Sequence, residues 1–290
     1  MTRLCNLDFH AVIRRYSWAV AVLTVLWALL GVQARAEAII PRPYAVLAQE
    51  LDRVEGFAAW PRRAEPGHLL SAPHRGDGVS VASHFAGQTP AILTLRDGAR
   101  FDSLTQARAQ APLRLETGPP AQGIAIAHHR GFASNAAFPI GPAGFAQIEG
   151  RGEGMLAILF DHDQAATGLL VHADYDDPLG ARPAPRGTVE VILLDRLGRV
   201  LARNVTPLTQ GITALGYGTA DGAPLIAGVV VLNTDPGGIA VDDILYARAA
   251  MLGGMQQSPR NRRAASWQAD SPAILLAHAW KTAQILPFQP

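Results

Sequence analysis

Eleven short apolar runs, set apart by glycine, proline and aspartate, constrain the fold of this 290-residue chain more than any other feature. They are GVSVASHF (78–85), AILTLR (91–96), PLRLET (112–117), GIAIAHH (123–129), FAQIEG (145–150), MLAILFD (155–161), TGLLVHADY (167–175), TVEVILLD (188–195), RVLARNV (199–205), LIAGVVVLN (225–233) and GIAVDDILYA (238–247). No helical pattern separates them, which excludes a parallel sheet of βαβ units and predicts an all-β antiparallel sandwich or barrel. The clearest local unit is VEVILLDRLGRVLARNV (189–205), in which Asp195-Arg196-Leu197-Gly198 supplies a turn between two strands.

The ends of the chain read differently. Arg3, Arg14 and Arg15 precede an uncharged run from Trp18 to Val32, followed by alanines at 34, 36 and 38. That order predicts a secretory signal peptide over residues 1–36, and hence export to the periplasm or the outside of the cell. The alternative is a retained anchor, since the run is slightly shorter than the roughly 17 to 25 residues that span a bilayer. Residues 37–50 form a lead-in whose segment 43–53 is either a short helix or the approach to a strand starting near Leu51. The sandwich is expected over 51–250, a polar linker over 251–270, and a helix over 271–286 that opens with Ser271 and Pro272.

Composition excludes several chemistries. The single cysteine, Cys5, lies inside the leader, so the remainder can form neither disulfides nor a thiolate metal site. Taking four arginines and one aspartate of the leader from the 25 basic and 24 acidic residues leaves 21 and 23, which is no nucleic-acid footprint. No H-E-x-x-H, G-x-S-x-G, phosphate-binding loop or dinucleotide fingerprint occurs. The adjacent His128 and His129 must point to opposite faces of a strand, and the histidines read as surface residues.

The run GGIAVDDILYA (237–247) poses the sharpest question, because strict alternation puts an aspartate into each of its two columns. Ile239, Val241, Asp243 and Leu245 form one column; Ala240, Asp242, Ile244 and Tyr246 form the other. An ionised carboxylate buried without a partner costs roughly several kcal/mol. The stretch resembles the closing strand of MAM domains and of many secreted bacterial jelly-roll modules, and GMLAILFDHDQAATGLLV, VEVILLDRLGRVL and LIAGVVVLN are similar to their preceding strands. The likeness covers residues 145–247 and implies a jelly-roll, concanavalin-like or galactose-binding-like sandwich. Several such modules hold structural calcium between first and last strands, which implies Glu55 of LDRVEGF (51–57), with Asp242 or Asp243, as ligands. The other reading is a β-bulge that turns both carboxylates to solvent or to backbone N–H groups.

Asp161, Asp163, Asp174 and Asp176 form a second acidic group of candidate cation ligands, although their spacing matches no EF-hand. Trp60, Tyr175 and Tyr217 are candidate ligand-binding rings in loops or at strand ends. Carboxylates available to a glycoside-cleaving enzyme are Glu116, Glu149, Glu153 and Glu190. The expectation is an exported, noncatalytic binding module for a carbohydrate or another envelope component, with no membrane partner once the leader is removed. A jelly-roll enzyme acting on polysaccharide and a purely structural envelope or adhesion protein are the alternatives.

Overall fold

The computed structural model of the chain describes residues 39–173 and 187–248. The expected leader, linker and C-terminal helix lie outside the described residues, as do Asp174, Tyr175 and Asp176. The protein is all-β, built on two facing antiparallel sheets. In chain order the strands are β1 (Ile39–Pro41), β2 (Arg53–Glu55), β3 (His68–Leu69), β4 (His74–Arg75), β5 (Val79–Ala82), β6 (His84–Phe85), β7 (Thr89–Thr94), β8 (Arg100–Gln106) and β9 (Leu115–Glu116). There follow β10 (Gly123–His129), β11 (Ser134–Ile140), β12 (Leu156–Gln164), β13 (Ala166–Ala173), β14 (Thr188–Leu194), β15 (Val200–Pro207), β16 (Gly211–Thr219), β17 (Ile226–Asn233) and β18 (Ala240–Tyr246).

The larger sheet runs β1-β16-β13-β18-β11-β10-β3, with β2 also paired to β18, and the smaller runs β15-β14-β17-β12-β5-β4. From β12 onward the chain changes sheet at every step except the β14–β15 hairpin. That hairpin matches its sequence signal. Gly198 has φ +72, and the Asp195 carboxylate accepts the N–H groups of Leu197 and Arg199.

Between the sheets lies the main core, to which Val189, Val191 and Leu193 of β14 and Val229 and Val231 of β17 contribute. Their alternate neighbours Ile192, Leu194, Val230 and Leu232 are equally buried, on the outer face of the smaller sheet. The excursion that carries β6 to β9 supplies their cover, through Phe85, Ala107, Ala109 and Leu113. This explains why β17 is apolar from Ile226 to Leu232: a strand covered on both faces loses the alternation of a half-exposed one.

Helix α1 (Tyr44–Glu50) and then β2 occupy the segment left open between helix and strand. Leu47 and Leu51 pack with Ala166 and Leu245 on the outer face of the larger sheet. One expected strand is absent. FAQIEG forms turns and a 3₁₀ segment, Ile148–Gly150, because glycines at 144 and 150 bring the backbone back on itself. A Cβ at Gly150 would lie 2.2 Å from the Gly144 carbonyl oxygen.

Candidate functional site

The closing strand resolves its own conflict with a bulge. Leu170 of β13 pairs with Asp242, yet Gly168 pairs with Leu245, so Asp243 and Ile244 share the space opposite Leu169. Asp243 takes φ +46, in the left-handed region that aspartate tolerates better than most residues. The extra residue resets the alternation. Val241, Ile244 and Tyr246 enter the core, while Leu245 moves to the outer face beside α1. The two columns expected from strict alternation are therefore corrected at Asp243, and neither aspartate points between the sheets.

Asp242 is nevertheless only 2 % exposed. Its Oδ2 accepts the Ser134 hydroxyl at 2.5 Å and its Oδ1 the Asp243 N–H at 2.8 Å. Burial pushes the Asp242 carboxyl up to about 8 despite these bonds, and the charges of Asp243 and Glu55 add to the rise. Asp243 is also raised by burial, and its carbonyl accepts the Tyr44 hydroxyl at 3.0 Å.

A strap formed by residues 53–60 lies across this bulge. Strand β2 pairs with the far half of β18, Glu55 opposite Ile244. The two aspartates converge on Gly56: a Cβ there would sit 3.3 Å from Asp243 Oδ1 and 3.5 Å from Asp242 Oδ1. Glycine leaves that space clear of side chain. Glu55 is engaged elsewhere, its Oε1 accepting the Phe57 N–H at 2.8 Å and lying 3.3 Å from His74 Nε2. Burial alone would raise the Glu55 carboxyl, but His74 and the Phe57 N–H outweigh it and hold Glu55 below its ordinary value. The two aspartates are the carboxylates that approach each other at Gly56, whereas Glu55 as arranged serves the strap. Among the described residues no group of three or more His, Cys, Asp or Glu side chains is set to hold a metal ion.

From Glu55 a buried chain of polar groups leads to the surface. The Trp60 Nε1–H donates to His74 Nδ1 at 3.0 Å, which leaves His74 Nε2 as the nitrogen facing Glu55. The Asn135 side chain donates to the carbonyls of Phe57 and Trp60, fastening the strap to β11. Trp60 itself is half-buried against the main core, with the His68 ring 5.7 Å from its own. His68 Nε2 is buried and has no hydrogen-bond partner.

The remaining candidates lie apart. Asp163 on β12 is paired with Arg196 at 2.6 Å, and Asp161 is exposed nearby. Tyr217 lies within β16 at 3 % exposure, where burial and a hydrogen bond with Thr206 place it in the core rather than at a strand end. Glu116 pairs with Arg114 and Glu190 with Arg203, while Glu153 is buried and Glu149 is exposed.

The histidines are the largest departure from the sequence reading. His74, His129 and His172 are buried, and the last two stack edge-on at 4.6 Å on the outer face of the larger sheet. His129 Nδ1 lies 3.0 Å from Glu65, and its ring also meets Phe132 and Phe138. His129 pairs across the β10–β11 hairpin with Ser134, the partner of Asp242. No sequence spacing signals this cluster, because SNAAFPI of β11 carries little strand signature and no local pattern sets its register to β10.

No protein-family model matches the chain, and no curated protein matches it. The geometry of β18 and its strap therefore carries the functional argument.

Proposed function

We propose that the chain is an exported, noncatalytic β-sandwich binding module that presents Trp60 to a carbohydrate of the cell envelope and is clasped at the Asp242–Asp243 bulge by a structural calcium ion. The observation that carries the reading is the fixed aromatic platform. Trp60 is held by its own Nε1–H on His74 and by Asn135 on its carbonyl, so it loses little freedom on binding. The part of its ring left uncovered by the main core offers an apolar surface, and the His68 ring stands 5.7 Å from it. The fold supplies the rigid frame and the site supplies the chemistry.

The test is a glycan array probed with the purified chain, followed by titration of whichever glycan binds. Trp60→Ala is expected to weaken that binding about tenfold or more, the loss associated with one well-placed ring. Trp60→Phe retains a ring without the indole N–H and should recover part of it. Equal binding by wild type and Trp60→Ala, or no glycan bound by wild type, contradicts the reading.

A further inference from the structure

Strands β7 and β8 form a two-stranded ribbon outside both sheets. Strand β8 is its root. The Asp102 N–H donates to the Glu153 carbonyl at 3.0 Å, the Asp102 carboxylate accepts the Met155 N–H at 3.2 Å, Phe101 is fully buried, and Leu104 packs under the smaller sheet. Strand β7 pairs only with β8, so its other edge is open. Five of its six residues are exposed, among them Ile92 at 51 % and Leu93 at 40 %.

As neighbours on a strand, Ile92 and Leu93 project to opposite faces of the ribbon. Cross-strand register agrees, with Ile92 opposite Asp102 and Leu93 opposite Phe101. A single flat protein surface covers one face of a ribbon and leaves the other wet. A fluid interfacial layer met edge-on takes in both aliphatic side chains together.

The connecting turn adds charge. Arg96 and Arg100 are exposed, and neither joins an ion pair among the described residues. The intervening Asp97 has its carboxylate on the Ala99 N–H inside the turn. Two long cationic side chains flanking two aliphatic ones complement a surface of anionic headgroups over acyl chains.

We propose that the open edge of β7, with Ile92, Leu93, Arg96 and Arg100, is a shallow contact for an anionic phospholipid surface. This departs from the expectation of no membrane partner. It is independent of glycan binding at Trp60.

The experiment is co-sedimentation of the full chain with phosphatidylcholine vesicles, with and without phosphatidylglycerol. The difference between the two vesicle types is the readout, because a retained apolar leader would bind both. The expected result is a preference for the anionic vesicles that weakens with salt. Arg96→Glu/Arg100→Glu and Ile92→Ser/Leu93→Ser should each reduce that preference by about tenfold. Both pairs are surface changes, and unchanged melting temperatures check that they fold. Glycan binding should survive in both, which separates failure here from failure of the Trp60 reading. No anionic preference in wild type, or a preference untouched by both variants, overturns the proposal. So does self-association abolished by Ile92→Ser/Leu93→Ser without lipid binding, which would assign the edge to a second copy of the chain.

Discussion

Asp242→Asn is expected to raise the melting temperature in chelator at pH 8 and to leave it almost unchanged at pH 4. The reason is linkage. The folded state holds the Asp242 carboxyl at about 8, while the unfolded chain releases its proton near the ordinary aspartate value of about 4. Between those values the unfolded state binds fewer protons than the folded one, so stability falls as pH rises through that window and levels off above it. The accumulated loss is on the order of a few kcal/mol. Glu55 acts in the opposite sense, since its lowered value contributes stability above the ordinary glutamate range that is lost as pH falls. The asparagine retains an acceptor for Ser134 or the Asp243 N–H but cannot ionise, which removes the Asp242 contribution alone. Melting curves across pH for wild type and variant test this; parallel curves would contradict it.

Phe57→Ala should destabilise the protein by about 3 to 5 kcal/mol, the range for truncating a fully buried aromatic side chain. Phe57 is the apolar plug of the strap. Its ring lies in the main core, its N–H is bound by Glu55, and its carbonyl accepts Asn135. It also has φ +55, an arrangement the surrounding bonds enforce. Chemical denaturation should show a lower midpoint. Hydrogen exchange should show faster exchange of the β2 amides, which pair with β18, because the plug no longer holds the strap. A change within about 0.5 kcal/mol would mean that the strap is an appendage and not part of the core.

Much of the sandwich was legible because its central strands are long and apolar. Runs at 155–161, 188–195 and 225–233 became β12, β14 and β17, and the turn at Asp195–Gly198 was written in its own residues. Strands β8, β11 and β16 were not legible. RFDSLTQ is largely polar because it belongs to a ribbon, whereas SNAAFPI and GITALGYGT are built of small residues that pack under other chain segments without an apolar signature.

The site was legible in part. Two adjacent aspartates in a strand announced a conflict, and a bulge was one of two readings that could relieve it. Pairing of β2 with β18 set Glu55 opposite Ile244, yet its carboxylate turned to His74. That contact depends on β4 meeting the strap, a long-range fact no local pattern contains. The cluster of His129, His172 and Glu65 was hidden for the same reason, since its members come from β10, β13 and the loop before β3.

The most direct measurement of the account is the melting temperature of the full chain in excess EDTA and in millimolar calcium, for wild type and for Asp242→Asn/Asp243→Asn. Calcium should raise the wild-type melting temperature, because a cation bound only by the folded state stabilises it. The double variant should show no calcium shift. A wild-type protein that melts at the same temperature in EDTA and in calcium would contradict the clasp and leave the bulge held by Ser134 and backbone N–H groups alone.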